Sequence, residues 1–256
     1  MVAPEAAAGG AVRLDKRTYL EQSRYVAKLR DFGDGLSEVG WSFVGVAQAN
    51  KKPRGQSLSR EENDERACRR AKSRLRHLIL ASRADHLLTL TYRENVTDYK
   101  QAERHFTRFV KRVKQAYPNW SYVAVAEQQL RGAWHWHLAV CGWQDVAFLR
   151  SAWRRCVSDG NIDVQHPKGR RGNRRLRLVA YLSKYMAKSF ANLHNLSAHR
   201  YRASLGIEIP CKPIPIPFEA RTDVCSYVLT HLRALVGSDI FIWQSEEYLA
   251  GWACSW

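Results

Sequence analysis

Two histidines stand at alternate positions in an apolar stretch of the chain, Trp134-His135-Trp136-His137-Leu138. Alternate side chains of a β-strand point to the same face, so His135 and His137 would project together, away from Trp136. Two imidazoles on one face form half of a metal site. The pattern is weak by itself, because polar residues on the solvent face of a strand have the same spacing.

A carboxylate on the preceding strand supplies a third candidate ligand. Residues 122–128 and 134–141 are predicted to form a β-hairpin with its turn at 130–132. The hairpin brings Glu127 beside the histidines; Gln129 has the same parity and is an alternative ligand, but a carboxylate also offsets ion charge. Two imidazoles and a carboxylate suit Mg²⁺ or Mn²⁺ that must also hold substrate oxygens. The alternative for Glu127 is an ordinary surface residue.

A tyrosine–lysine face lies on a helix predicted over residues 176–190. Its members follow the spacing i, i+3, i+4, i+7 and are Tyr181, Lys184, Tyr185 and Lys188. A separate apolar stripe can face the core and comprises Leu178, Leu182, Met186 and Phe190. A tyrosinate attacks phosphorus well, and nearby lysine charge would lower the tyrosine pKa from about 10. The alternative is that a tyrosine packs in the core while the lysines are solvated.

The chain has a strong positive charge. It carries 41 Lys and Arg against 24 Asp and Glu, a net charge of +17. Such an excess indicates a polyanionic partner, and two basic clusters at 66–76 and 168–177 favour nucleic acid over solvated surface. The basic residues expected to contact DNA are Arg93, Arg131, Lys168, Arg170, Arg171, Arg174, Arg175, Arg177 and Lys188. Tyr92, Trp134 and Trp136 could supply base-stacking surfaces.

The hydrophobic pattern predicts a globular chain that mixes helices and strands. Further helices are predicted over residues 59–82, 98–117, 145–157 and 221–236, and further strands over 41–46, 87–92 and 162–165. Residues 1–15 are expected to be disordered. No apolar run suits a membrane span or a signal peptide, and six widely spaced cysteines without a C-x-x-C motif fit a reducing cytosol.

Together these motifs resemble the HUH superfamily of rolling-circle replication initiators, in which two histidines flank a hydrophobic residue. The resemblance rests on three motifs in order: Leu88-Thr89-Leu90-Thr91, then Glu127 to His137, then Tyr181-x-x-Lys184-Tyr185. Replication-associated endonucleases of small single-stranded DNA phages are the most similar, through the Glu-x-Gln-x-x-Gly spacing before the histidines and through His199-Arg200-Tyr201-Arg202. The resemblance covers about residues 70–215.

The resemblance implies an α+β fold with a central antiparallel sheet of about five strands, the metal-binding hairpin in its middle and helices flanking it. We expect an N-terminal, partly disordered region at 1–58, the endonuclease domain at 59–218 and a C-terminal helical extension at 219–256. It further implies that Glu127, His135 and His137 bind Mg²⁺ or Mn²⁺, that Tyr181 and Tyr185 are nucleophile candidates, and that Lys184 assists charge or proton transfer.

The implied activity is metal-dependent nicking and rejoining of single-stranded origin DNA through a covalent 5′-phosphotyrosine. Tyr181 is favoured as the indispensable nucleophile, with Tyr185 as a second one that alternates with it. The implied partners are origin DNA and a host helicase and polymerase, for a monomer in the bacterial cytoplasm without membrane association. The alternatives are a non-catalytic basic module that binds single-stranded nucleic acid, and an HUH transposase or relaxase.

Overall fold

The computed structural model describes residues 24–45, 60–168, 172–192, 201–237, 239–246 and 249–256. The helices within these ranges are α1 (Arg60–Ala81), α2 (Tyr99–Ala116), α3 (Val146–Val157), α4 (Arg174–Asn192) and α5 (Val224–Val236), with a 3-10 turn at Phe218–Thr222. The strands are β1 (Arg24–Asp31), β2 (Ser37–Val44), β3 (His86–Tyr92), β4 (Tyr122–Gln128), β5 (Trp134–Val140), β6 (Gly160–Gln165), β7 (Arg202–Ala203), β8 (Lys212–Ile214), β9 (Phe241–Ser245) and β10 (Ala250–Cys254). None of the helices in these ranges has the length and apolar character needed to cross a membrane.

The chain divides into two units, which we term the central unit (residues 59–209) and the terminal unit (residues 1–58 together with 210–256). This grouping corrects the expected division at its ends. The region 219–256 is not a separate helical extension, because its strand β10 pairs with β2 from the N-terminal region. Neither end could complete this sheet alone, since each would leave an unpaired strand edge.

The central unit is built on an antiparallel sheet in the order β6-β3-β5-β4-β7. β4 and β5 form the predicted hairpin, whose turn contains Gly132 at a φ of +86°, a conformation that favours glycine. β5 is the middle strand. This five-stranded sheet with its flanking helices confirms the predicted α+β class, with the hairpin at the centre.

Helix caps and apolar stripes position the helices beside this sheet. The side chain of Asp98 accepts hydrogen bonds from the backbone N–H groups of Lys100 and Gln101 at the start of α2. Asp145 caps α3 in the same way, by accepting from Phe148 N–H at 3.0 Å. Each cap satisfies donors that the first helical turn leaves unpaired.

One face of the central sheet is an aromatic core. Trp136 of β5 is buried and stacks on Phe106 of α2, with 4.1 Å between ring centroids. Trp134 and Tyr92 are buried as well. The expectation that Tyr92, Trp134 and Trp136 stack on DNA bases is therefore wrong, because the protein core already covers these rings.

The opposite face of the sheet packs against α1 and α4. Val123 and Val125 of β4 share a hydrophobic cluster with Leu178, Leu182 and Met186 of α4. These three residues are the described part of the predicted apolar stripe, and the side chain of the fourth member lies outside the description. Because the stripe faces the sheet, the tyrosine–lysine face beside it lies along the line where α4 meets the hairpin.

The terminal unit has its own antiparallel sheet, in the order β8-β1-β2-β10-β9, with α5 packed on one face. The sequence predicted the helix and a short strand near β2, but not β1, β8, β9 or β10. Val39 and Trp41 of β2 lie in the core between this sheet and α5.

Candidate active site

The hairpin brings the three predicted metal ligands onto one face. Glu127 of β4 is the direct cross-strand partner of His135, and His137 follows on the same face of β5. The histidines are 7% and 5% exposed. Their burial excludes the alternative of a polar pair on a solvent-facing strand.

The carboxylate of Glu127 is held from two sides. His137 Nε2–H donates to Oε2 at 2.9 Å, and Lys188 Nζ donates to Oε1 at 3.0 Å. Burial by itself raises the pKa of Glu127, but the hydrogen bonds and positive charge of these two partners outweigh it and hold the pKa below its ordinary value. Glu127 is therefore ionised at neutral pH, as a metal ligand must be.

His135 is a neutral imidazole with an unsatisfied nitrogen. Its Nδ1 lies 3.4 Å from Gln129 Nε2, and its buried Nε2 has no hydrogen-bond partner within the described part of the chain. Burial, together with the charges of His137 and Arg131, lowers the pKa of His135 to about 4. A buried polar atom without a partner is costly, so this nitrogen fits a position where a further ligand binds.

The three residues do not form a closed ligand set in the structure. Among the residues described, no group of three or more His, Cys, Asp or Glu side chains is placed to hold a metal ion. The ring centroids of His135 and His137 are 6.5 Å apart, and Glu127 bonds only to the latter of the two. The chemistry of the donors fits a divalent ion. The ligand roles of Glu127, His135 and His137 stay a prediction.

Both tyrosines of α4 contact the second histidine. The Tyr185 ring stacks on the His137 ring at 4.2 Å and 16°, and the Tyr181 ring meets it edge-on at 5.6 Å and 83°. The Tyr185 hydroxyl donates to the Tyr181 hydroxyl oxygen at 3.1 Å. The helix thus places two phenolic groups beside the same imidazole, and both are only partly buried.

The lysines do not lower the pKa of Tyr181, contrary to the expectation from their spacing. Burial, then the hydrogen bond and charge of Tyr185, and then two nearby carboxylates raise the pKa of Tyr181. The lysine Nζ atoms lie nearer the other tyrosine, at 6.0 Å (Lys184) and 5.3 Å (Lys188) from the Tyr185 ring centroid. Tyr181 is therefore a neutral phenol at neutral pH in the free protein.

Two contacts of the site were missed by the sequence reasoning. Thr89 Oγ1 lies 3.3 Å from His137 Nδ1, the nitrogen that faces away from Glu127, and so helps to set the orientation of the ring. Lys188, predicted to contact DNA, bonds to Glu127 instead. The cross-strand register of Thr89 with His137 could have indicated the first contact. The second depends on the rotation of α4 against the sheet, which the sequence does not specify.

The basic residues predicted to contact DNA differ in exposure. Four of them are exposed: Arg93, Arg131, Lys168 and Arg174. Arg177 is half-buried. Arg170 and Arg171 lie outside the described residues, as do His199 and Arg200 of the phage-like motif.

Arg175 is a correction to that set. It is 5% exposed, and its Nη1 donates to the carbonyl oxygen of Leu80 at 3.1 Å. The guanidinium thus joins the start of α4 to the last turn of α1, where cations favour helix C-termini. Its buried position prevents it from reaching a DNA phosphate.

Residues 85–190 match a family model of replication-associated proteins, the family of the ORF2 type. The matched range runs from β3 into α4 and contains Glu127, His135, His137 and both tyrosines. No curated protein and no solved structure matched the chain. The family match supports a replication-associated protein.

Proposed function

We propose that this chain is a rolling-circle replication initiator that nicks single-stranded origin DNA and rejoins it through a covalent phosphotyrosine. The observation that carries the proposal is the placement of Tyr181 and Tyr185 against His137, on the face that also holds Glu127 and His135. The family match over this range supports the role in replication.

Glu127, His135 and His137 would hold Mg²⁺ or Mn²⁺ in the working enzyme. Such an ion, when bound, polarises the scissile phosphate and offsets its charge. The ionised carboxylate of Glu127 and the unsatisfied Nε2 of His135 support this assignment. Thr89 would keep the His137 ring oriented through its Nδ1.

The residues of α4 carry the transfer step. The Tyr181 hydroxyl oxygen attacks phosphorus, and the bond from phosphorus to the 3′ oxygen breaks. The 3′ oxygen leaves with the bonding pair, and the tyrosine proton ends formally on that freed 3′ hydroxyl. The 5′ phosphate stays joined to Tyr181, while Tyr185, hydrogen-bonded to it, serves as the second nucleophile and Lys184 offsets charge on the phosphate. Attack by a 3′ hydroxyl on the phosphotyrosine reverses the step and closes the strand.

The exposed basic residues of the central unit would bind the DNA backbone. Arg93, Arg131, Lys168 and Arg174 supply positive charge, which makes binding salt-sensitive. We further propose that the protein acts as a monomer in the bacterial cytoplasm and delivers a primed origin to a host helicase and polymerase.

The test is cleavage of the native replicon's origin strand, supplied as a single-stranded oligonucleotide. We expect the full chain to cleave it with Mn²⁺ and to lose cleavage in a chelator. His135→Ala should lower the rate at least about 100-fold and keep most of the salt-sensitive binding. His231→Ala, on α5 in the terminal unit, is the matched histidine control and should cleave at the wild-type rate. Undiminished cleavage by His135→Ala, or cleavage that persists in the chelator, would refute the proposal.

A further inference from the structure

The sheet of the terminal unit has one face that α5 does not cover. Val39 and Trp41 of β2 point toward α5. Side chains alternate along a strand, so Gly40 points to the opposite face. We term this face the outer face, and its members are Arg24, Val26, Lys28, Arg30, Glu38, Gly40, Ser42, Phe241, Trp243, Ser245, Ala250, Trp252 and Cys254.

A single cross-strand row crosses the outer face. Lys28 pairs with Gly40, Gly40 with Trp252, and Trp252 with Trp243. Trp243 is 51% exposed and Phe241, two residues earlier on the same strand, is 58% exposed. Large exposed aromatic rings grouped on a sheet are typical of a binding surface rather than of an idle one.

Space is left open in the middle of this row. A Cβ added at Gly40 would meet only the carbonyl oxygen of Gly251, at 3.9 Å, within the described residues. The Trp252 indole borders the space on one side and Lys28 on the other. A planar ring could lie over the Gly40 backbone and contact the indole, which is the arrangement that a stacked base requires.

The charge of the outer face favours an anionic partner. Arg24, Lys28 and Arg30 occupy alternate positions of β1, and the first two are exposed. The single carboxylate among the strand residues described on this face is Glu38. It already accepts from Trp252 Nε1 at 3.0 Å and lies 3.6 Å from Arg30 Nη1. Positive charge along one strand and aromatic rings along the far two match a phosphate backbone with unstacked bases.

We propose that the outer face of the terminal unit binds single-stranded DNA. The bases stack on Trp243 and Trp252, and the phosphates lie near Lys28 and Arg24. The strand must be single, because paired bases do not offer their faces to a side chain on a sheet. The proposal does not depend on the tyrosine chemistry, since none of its residues lies in the central unit.

The test measures binding of a labelled oligo(dT) by fluorescence anisotropy. The full chain carries Tyr181→Phe and Tyr185→Phe, so no covalent product forms. We expect Trp243→Ala to weaken binding about tenfold. Trp243→Phe, which keeps a ring for stacking, should retain most of the affinity. The matched control is Trp143→Ala, because Trp143 is an 81% exposed tryptophan of the central unit; its affinity should change less than about twofold.

Three outcomes would overturn the proposal. They are an unchanged affinity for Trp243→Ala, an equal loss in Trp143→Ala, and an equal Trp243-dependent loss with a duplex of the same length. A Trp243-dependent preference for oligo(U) would overturn the choice of DNA over RNA. Because oligo(dT) carries no origin sequence, a negative result leaves the proposed nicking function standing, and a failure to nick leaves this measurement readable.

Discussion

Glu127 is the residue on which the charges of the site converge. Without a metal ion, its two oxygens accept hydrogen bonds from His137 and Lys188, and its pKa stays low although it is partly buried. The lysine thus occupies, as a cation, part of the carboxylate that we assign to the ion. An ammonium and a divalent ion at one carboxylate repel each other, so the two must compete.

This competition predicts the effect of removing Lys188. We expect Lys188→Met to bind Mn²⁺ about three- to tenfold more tightly, because one positive charge leaves the site while the carboxylate stays ionised at neutral pH. Lys184→Met is the matched control, since its exposed lysine lies on the same face of α4, and it should change the affinity much less. Calorimetric titration with Mn²⁺ provides the measurement. Weaker binding by Lys188→Met would show that the lysine supports the ion rather than competing with it.

The buried His135 predicts a loss of stability in acid. Its pKa is about 4 in the folded protein and about 6.5 in the unfolded chain, so the unfolded chain binds the proton first as the pH falls. The contribution to stability is therefore complete above about pH 6.5 and is lost as the pH falls toward 4. Between pH 7 and pH 4.5 this costs about 2 to 3 kcal/mol. Urea unfolding in a chelator should show that His135→Phe loses less stability over this range than the wild type; parallel pH profiles would contradict the assignment.

At the scale of elements, the parts of the site with strong local patterns could be predicted from the sequence. The hairpin, the capped helices α2 and α3, and the apolar stripe of α4 each follow from residues close together in the chain. Strands β9 and β10 could not be predicted, because their stability comes from pairing with β2, about 200 residues earlier. The contact of Lys188 with Glu127 was missed for a similar reason, since it depends on how α4 lies on the sheet.

Two glycines in neighbouring strands of the terminal sheet predict opposite responses to the same substitution. Gly251 faces α5, and a Cβ there would overlap the indole of Trp41. Gly251→Ala should therefore lower the free energy of unfolding by about 1 to 3 kcal/mol. Gly40→Ala, directed to the open outer face, should change it by less than about 0.5 kcal/mol. Urea unfolding of both variants measures this, and equal destabilisation would contradict the facing that we describe.

At the scale of the whole molecule, the two units divide the work that the charge of +17 suggests. The central unit holds the candidate chemistry and the range that matches the replication-associated family. The terminal unit, whose sheet joins both ends of the chain, offers a second basic and aromatic surface. We expect DNA binding to survive the loss of the tyrosines, and nicking to require them.

The most direct test of the account is to map the covalent protein–DNA adduct by mass spectrometry. The full chain is incubated with Mn²⁺ and the native origin strand, and the peptides carrying nucleotide are identified. We predict a phosphotyrosine adduct at Tyr181, a second at Tyr185, and none in the Tyr181→Phe/Tyr185→Phe double variant. An adduct that still forms in the double variant, or one that maps to a residue outside α4, would contradict the central claim.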